Sequence, residues 1–413
     1  MKKTITKQIL VALVLNLLKD LSALSFNKFR KSAFFHFLVL SLIFLPLHPI
    51  DNPHFYRATN RYPEPRIERD FLTTFDITMA SGSTSQGRNG AGHLVPLLDI
   101  YGIQHLTIPT TPETTFTFSI DGTFKIREAN LFFIQNFTKG FLFLFHLPVR
   151  NLQIKDVSFT NLSQPKPSEP IKSLLRSQGF DTQSSHETGS GDFTALLEWT
   201  HNYQNTTTLD FVDSTLATGF LAPTGKTRNP KQLFSLPLGY NGHWAIPLSA
   251  QLSFGLYEWI TLGISIDSLL FFKNTATLRI KTTPEETGLI KPTIANVTVH
   301  KGPVWDAQIF LKADHFMYGL SFIAGYSCAG EQKSTITTAN PTFFDESIIN
   351  SDPALHNWYM HTLHFGAEYD FAKQYSRTGL RIGFFYNYQF GGIRTFDANM
   401  VGGSFGIDAT WGF

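Results

Sequence analysis

The segment whose spacing comes nearest to a chemical motif is Gly219 to Thr227, GFLAPTGKT. A phosphate-binding loop places four residues between its first glycine and the Gly-Lys-Thr, and it opens a helix whose amides cradle the phosphates. Here five residues intervene, and no helical pattern follows. The spacing therefore argues against a nucleotide site.

Two histidine segments were weighed as chemical sites. His361 and His364 are three residues apart, and on a strand that spacing places them on opposite faces, so they do not share a metal ion. His201, followed by Asn202, is similar to the histidine of outer-membrane phospholipases, a family of twelve-stranded barrels. The Ser and Asn neighbours of that family's pattern are missing, and a lipid hydrolase is the weakest of the three functional hypotheses.

A more extensive set of candidates is formed by charged residues that recur on the polar side of alternating segments. They are Asp76, Glu198, Asp267, Asp306, Lys312, Glu368, Arg381 and Asp408. We expect them to line the interior of a barrel. Because their signs are mixed, two interpretations stay open: a salt-bridge network that rigidifies or plugs the lumen, or a path for a solute.

The element that must position such residues is a strand, and the clearest one is the last stretch, Gly402 to Phe413. One side carries apolar residues, Phe405, Ile407, Ala409, Trp411 and Phe413. The other side carries Ser, Gly, Asp and Thr, so the period is two. An aromatic ending of this kind resembles the terminal signature of bacterial outer-membrane barrels, which the barrel-insertion machinery reads.

About twelve such segments follow one another from Phe71 onward, and short and long connections alternate between them. This alternation is typical of outer-membrane barrels, with turns in the periplasm and loops outside. The sequence predicts an all-β fold, a single antiparallel transmembrane up-and-down barrel of about 12 strands over residues 69–413. We expect the apolar register to face lipid throughout, including Phe116 to Ile126, because a charge there costs about 2–4 kcal/mol.

Three further expectations concern particular segments. From Leu131 to Val149 both registers are apolar, so the face is ambiguous. Residues 151–190, rich in Ser, Pro, Lys and Gln, are predicted to form a long loop. Aromatic residues near strand ends are predicted to form interfacial girdles; the pairs are Trp199 with Tyr203, Tyr257 with Trp259, Trp358 with Tyr359, and Trp411 with Phe413.

Composition excludes several other classes. Charged residues make up 16% of the chain, against about 25% in soluble domains, and there are 40 phenylalanines. Past residue 50 no apolar segment approaches the roughly 20 residues of a spanning helix. A net charge of +2 gives no reason to expect a nucleic-acid partner. The single cysteine, Cys328, excludes an internal disulfide, and no cofactor is expected.

The N-terminal 50 residues have the pattern of a targeting region. Basic residues precede an apolar segment twice, at Ile9 to Leu18 and at Ala33 to Leu47, which is the order of a secretory signal. The sequence does not decide which segment is the signal, and a pair of membrane helices is the alternative. Residues 51–68, rich in proline and charge, are predicted to be a periplasmic lead-in.

Residues 190–413 resemble the outer-membrane proteins of the phenol-degradation MetA pathway, which are similar to the long-chain fatty-acid channels. The resemblance lies in Gly191, Asp192, Pro223, Thr224 and Gly225. It implies a barrel that passes small, fairly apolar compounds. The first hypothesis is therefore a non-enzymatic channel in the bacterial outer membrane, in contact with lipid and a small solute. The alternative is a structural or surface-adhesion barrel with a plugged lumen.

Overall fold

The computed structural model describes residues 71–108, 114–162, 169–204, 209–257, 259–317, 319–339, 343–371 and 378–410. The predicted targeting region 1–50 and lead-in 51–68 lie outside these ranges. So do Trp411 and Phe413, on which the terminal signature depends.

Within the described residues, a closed antiparallel barrel is formed by twelve strands: β1 Leu72–Thr84, β2 Thr114–Asn136, β3 Phe141–Asn161, β4 Phe193–Gln204, β5 Phe211–Ala222, β6 Ala245–Tyr257, β7 Ile260–Phe271, β8 Val304–Met317, β9 Leu320–Glu331, β10 Trp358–Asp370, β11 Thr378–Ile393 and β12 Met400–Thr410. Each strand pairs with the next in sequence. The barrel closes between β1 and β12, from Leu72 opposite Thr410 to Gly82 opposite Met400. The predicted all-β up-and-down barrel of about twelve strands is confirmed.

The two ends of the barrel differ in their connections. The turns after β2, β4, β6, β8 and β10 are short, whereas the connections after β1, β3, β5, β7 and β9 are long, and all of these except the one after β5 carry secondary structure. The end with long connections is the extracellular one. The connection after β11, which was expected to be long, is only residues 394–399.

Along the strands of the barrel, apolar side chains that point outward alternate with polar side chains that point inward, as a lipid-exposed wall requires. Large apolar side chains point outward, as at Met79, 57% exposed, and Phe384, 59% exposed. Polar side chains on the alternate register are buried, such as Thr74, Asp306 and Asn387. Since a soluble barrel would place these two sets the other way round, the belt is that of a barrel that spans the bacterial outer membrane.

Near the extracellular end of β2 and β3 this pattern is inverted. Phe118, Ile120, Phe124 and Ile126 are buried inside, while Lys125 and its charged neighbours are exposed outside. The prediction that this segment faces lipid is wrong. The strands extend beyond the bilayer here, with 23 residues in β2 and 21 in β3, so the outer face meets water and the apolar face turns inward.

The inverted faces contact one continuous apolar core at the extracellular end of the barrel, which we call the plug core. We call residues 85–108 the plug segment; it contains a short 3₁₀ helix, Leu97–Asp99, whose two leucines are buried. The core joins this segment to inward side chains of β1, β2, β3, β9, β10 and β12, such as Ala80, Phe124, Leu152, Ala329, Met360 and Met400.

The segment 151–190 is not the loop that its composition predicts. Residues up to Asn161 continue β3, Glu169–Ser177 is helix α1, and Ser185–Ser190 is a short strand. β3 pairs with β4 only along Phe141–His146 and with the short strand along Val149–Ile154. Pro148 lies where the pairing changes partner, because proline lacks the amide that would continue a ladder.

Besides a small sheet of Gln86–Arg88, Leu94–Pro96 and Thr395–Phe396, another three-stranded sheet stands on the extracellular side. We call it the loop sheet; its strands are Asn274–Ile280, Thr293–His300 and Thr335–Thr338. It packs its own core with a short helix α2, Glu346–Ile349, and with Leu355. Among the described residues, no helix has the length and apolarity needed to cross a membrane.

Candidate functional site: the barrel interior

Four of the eight predicted interior charges meet at the seam where the barrel closes. The Arg381 guanidinium lies 3.0 Å from Asp76 Oδ1, 3.1 Å from Asp408 Oδ2 and 3.5 Å from Glu368 Oε2. These residues come from β1, β10, β11 and β12, near the periplasmic end. We call them the seam cluster. One arginine thus ties together the first strand of the barrel and the last three.

The seam cluster is tightly fitted. The Thr74 hydroxyl donates to Asp408 Oδ1 at 2.6 Å. Gly406 lies between Asp76 and Arg381 in the ladders, and a Cβ there would collide with the Asp76 carboxylate and lie 2.9 Å from Arg381 Nη2. Position 406 therefore favours glycine, because the side chains of Asp76 and Arg381 approach its backbone closely.

The other four predicted interior charges lie elsewhere on the inward register. Lys312 Nζ is 3.2 Å from Asp314 Oδ2, an acidic residue that the sequence analysis did not single out. Asp267 and Asp306 stand directly opposite each other on β7 and β8. Glu198 is buried on β4. That any of the eight residues contacts a passing solute remains a prediction.

A polar array that the sequence did not predict crosses β9, β10 and β11. Ser327 Oγ lies 2.7 Å from His364 Nε2, and His364 Nδ1 lies 2.8 Å from Asn387 Oδ1. Its order is that of a hydrolytic Ser–His–Asn triad. However, β9 is paired on both sides around Ser327, so the backbone amides there are used in the ladders and do not provide an oxyanion hole. The array is an interior hydrogen-bond network.

The histidine segments weighed in the sequence have structural roles. His201 points outward from β4, with its ring centroid 5.7 Å from that of Trp199 and 4.3 Å from that of Tyr203. Asn202 instead donates to Asp213 Oδ1 at 2.6 Å. The nearby Ser214 hydroxyl contacts the His201 carbonyl oxygen, not the ring. No serine–histidine pair of a hydrolase forms at this place in the described wall.

His361 and His364 are on opposite faces, as predicted. His361 Nδ1 lies 2.7 Å from the Tyr326 hydroxyl, whereas His364 belongs to the interior array. Within the described ranges, no group of three His, Cys, Asp or Glu residues could hold a metal ion.

The structure also shows the contacts of Lys226 and Trp358, two residues singled out in the sequence. Lys226, in the segment that suggested a phosphate loop, pairs with Glu187 at 2.5 Å. Trp358, predicted to lie in an interfacial girdle, is instead buried inside, and its indole Nε1 donates to Glu331 Oε2 at 3.2 Å. It belongs to the plug core at the extracellular end, where the apolar register faces inward.

The five residues that carried the family resemblance form one junction: Gly191, Asp192, Pro223, Thr224 and Gly225. The Asp192 carboxylate accepts hydrogen bonds from the backbone amides of Gly225 at 2.9 Å and Tyr240 at 2.5 Å. The Thr224 hydroxyl donates to the Gly191 carbonyl at 2.8 Å. These contacts fix the loop after β5 against the start of β4.

The interior wall of β2 and β3 carries two apolar zones, and the periplasmic one also includes Leu196 of β4. The plug core lies at the extracellular end. A second buried cluster lies near the periplasmic end and consists of Phe132, Ile134, Leu142, Leu144 and Leu196. This cluster explains why both registers of Leu131 to Val149 are apolar: one faces lipid and the other lines the interior. Between the two apolar zones lie the Arg150–Glu128 pair, 2.5 Å apart, and the Asn130–His146 contact at 3.0 Å.

Asp99 attaches the plug segment to this wall. Its carboxylate accepts hydrogen bonds from the Ser119 hydroxyl and from the Ile120 amide, the latter at 3.0 Å. Burial raises the pKa of Asp99 above its ordinary value, although both hydrogen bonds oppose that rise and the nearby Asp121 adds to it. The attachment therefore contains an ionisable group that is costly to keep charged.

Solved structures with a similar fold are outer-membrane proteins. An outer membrane channel from Pseudomonas putida F1 is 12% identical, over 84% of this chain and 99% of that one, with a TM-score of 0.48. The CymD monoaromatic hydrocarbon channel is 10% identical, over 84% and 90%, with a TM-score of 0.33. The P. putida toluene transporter TodX is 11% identical, over 83% and 90%, with a TM-score of 0.30. No family model and no curated protein matches the sequence. At this level the similarity concerns the barrel fold alone.

Proposed function

We propose that this protein is an outer-membrane channel for small apolar solutes and that it performs no catalysis. The carrying observation is the pair of apolar zones on the interior wall of β2 and β3, of which the periplasmic one contains Leu142 and Leu144 together with Leu196 of β4. A water-filled porin needs a polar interior, whereas an apolar wall inside a barrel lowers the cost of moving an apolar solute out of water.

The proposal includes the surroundings of the barrel. Its exposed belt contacts outer-membrane lipid, and β12 presents the strand that the insertion machinery reads. We also propose residues 1–50 as the targeting region, 51–68 as the periplasmic lead-in and 69–413 as the barrel. The eight interior charges would set the charge preference of the path, in which carboxylates outnumber the cations Lys312 and Arg381.

The test is uptake of the neutral apolar fluorophore N-phenyl-1-naphthylamine by Gram-negative cells that produce the protein. We expect producing cells to take it up several-fold faster than non-producing cells. Leu144→Glu places a charge on the apolar wall and should remove most of that gain. Gln251→Glu adds the same charge to the polar interior face of β6 and should leave uptake unchanged. Both variants must first show the heat-modifiable gel mobility of a folded barrel.

The structural or surface-adhesion barrel remains the second candidate, because the plug core lies at the extracellular end of the barrel. Replacing residues 85–108 by a short Gly-Ser linker distinguishes the two. A channel takes up the fluorophore with the plug segment present. A structural barrel gives no uptake above background in the complete protein, even if removal of the segment opens it.

A further inference from the structure

A cleft of about 860 Å³, measured out to solvent, opens on the extracellular side. Its walls come from the plug segment, the loop after β5, the loop sheet and the residues around helix α2. The cleft is bordered by Leu233 of the plug core but by none of the eight interior charges, so its ligand does not depend on whether the barrel conducts.

The charged residues of this cleft are unbalanced. Four cations line it, Arg228, Arg279, Lys281 and Lys291, against one carboxylate, Asp352. Contacts within the protein hold Lys291 and Arg279 in place. Lys291 Nζ lies 3.1 Å from Asp352 Oδ1 and donates to the Gly288 carbonyl at 2.8 Å.

Arg279 is fixed mainly by neutral groups. Its guanidinium donates to the carbonyls of Pro230, Lys291 and Pro292, at 2.6, 3.3 and 2.8 Å, and stacks 3.6 Å above the Phe180 ring. Burial lowers the pKa of Arg279, and the positive charge of Arg228 lowers it further. The guanidinium is therefore held in place, but these neutral groups do not cancel its positive charge.

Lys281 is the decisive residue. It is only 5% exposed, and among the described residues no acceptor lies within hydrogen-bond distance of its ammonium group. Lysine is almost never buried without a partner. Lys281 lines the cleft, so an anion bound there would supply the missing partner.

The remainder of the wall is apolar, including Leu278, Val299, Ile336 and Leu355. We propose that the cleft binds a phosphate group carried on an apolar body, with the phosphate at Lys281. Four cations against one carboxylate suit a doubly charged oxyanion better than a single charge. Two sources share this chemistry: a soluble phosphate ester, and the phosphorylated headgroup of outer-leaflet lipopolysaccharide.

The experiment is isothermal titration of the purified full-length barrel with hexyl phosphate, inorganic phosphate and hexanol. Hexyl phosphate should bind at least tenfold more tightly than inorganic phosphate, and hexanol should give no measurable heat. Lys281→Met keeps the length of the side chain, removes the charge, and should weaken hexyl phosphate at least tenfold. Lys155→Met removes an exposed lysine of β3 and should leave the affinity unchanged.

A second measurement separates a ligand site from an internal structural role. Without ligand, Lys281→Met should be as stable as the wild type or more stable, because a buried unpaired charge has been removed. The proposal is overturned if hexyl phosphate does not bind, if Lys281→Met binds it equally well, or if that variant melts at a lower temperature than the unliganded wild type.

The source of the phosphate is decided by phosphorus analysis after extensive detergent washing. If the wild type retains lipopolysaccharide phosphorus and Lys281→Met does not, the natural ligand is the lipid headgroup. If the washed wild type contains no phosphorus but binds added hexyl phosphate, the natural ligand is a soluble phosphate ester.

Discussion

Arg381 is the residue on which the closure of the barrel depends most directly. It faces the carboxylates of Asp76, Glu368 and Asp408 within 3.5 Å in an interior where Asp76 and Asp408 are nearly inaccessible to solvent. Removing one partner of a buried ionic cluster leaves the others uncompensated, which costs about 3–5 kcal/mol.

We therefore expect Arg381→Met to lower the stability of the folded barrel by about 3–5 kcal/mol, because three carboxylates would lose their shared cation. The measurement is the urea concentration at which the heat-modifiable folded band disappears. Arg127→Met, which removes an exposed arginine of β2, is the control and should not shift that midpoint. Equal midpoints for the two variants would contradict the role assigned to Arg381.

The register of the eight interior charges could be read from the sequence, because a period of two leaves only two faces. Their pairing could not. Arg381 and Asp76 are far apart in sequence, and their contact depends on the stagger of every strand around the barrel. The Ser327–His364–Asn387 array was missed for the same reason, since each member lies on a different strand and is unremarkable alone.

Among the elements, the plug segment is the one whose attachment is most sensitive to conditions. Asp99 is buried against β2, and its pKa is raised by that burial. A carboxyl group whose pKa is higher in the docked state binds its proton more tightly there. Docking is then strongest below the ordinary pKa of 3.8 and weakens as the pH rises from that value through the raised one.

We expect acidification to protect the plug segment from hydrogen exchange, and Asp99→Asn to abolish this dependence. The measured quantity is the ratio of exchange rates of residues 94–108 in the wild type and in Asp99→Asn at each pH, because intrinsic exchange cancels in that ratio. The ratio should rise as pH increases from about 4 and then become constant. A ratio that does not change with pH would exclude Asp99 as the controlling group.

The two wrong predictions about which face of a strand points inward share one cause. Alternation identifies a strand with two unlike faces, but it does not say which face meets water. In the bilayer the apolar face of β2 points outward, as at Phe133, and beyond the bilayer it points inward, as at Phe124. Sequence alone does not locate that boundary, so Phe116 to Ile126 and Trp358 were both assigned to the wrong side.

For the whole molecule, the exposed apolar belt is the property that sets its environment. Phe384 lies in the middle of β11 and is 59% exposed. Phe343 is 85% exposed in a connection beyond the strands. The same substitution at the two positions therefore compares lipid with water.

Phe384→Arg should destabilise the barrel in bilayers by about 2–4 kcal/mol, because a charge near the midplane must leave water. Phe343→Arg should have little effect. Folding into lipid vesicles, followed by denaturant titration, gives both values. Similar losses at the two positions would mean that Phe384 does not face the hydrocarbon layer.

The seam cluster also bears on the order in which the molecule is made. Asp76 belongs to the first strand of the barrel and Asp408 to the last, so Arg381 acquires its complete set of partners only when both edges of the nascent sheet have met. A chain that lacks β12 therefore keeps Arg381 without Asp408 and leaves the edge of β1 without its pairing partner.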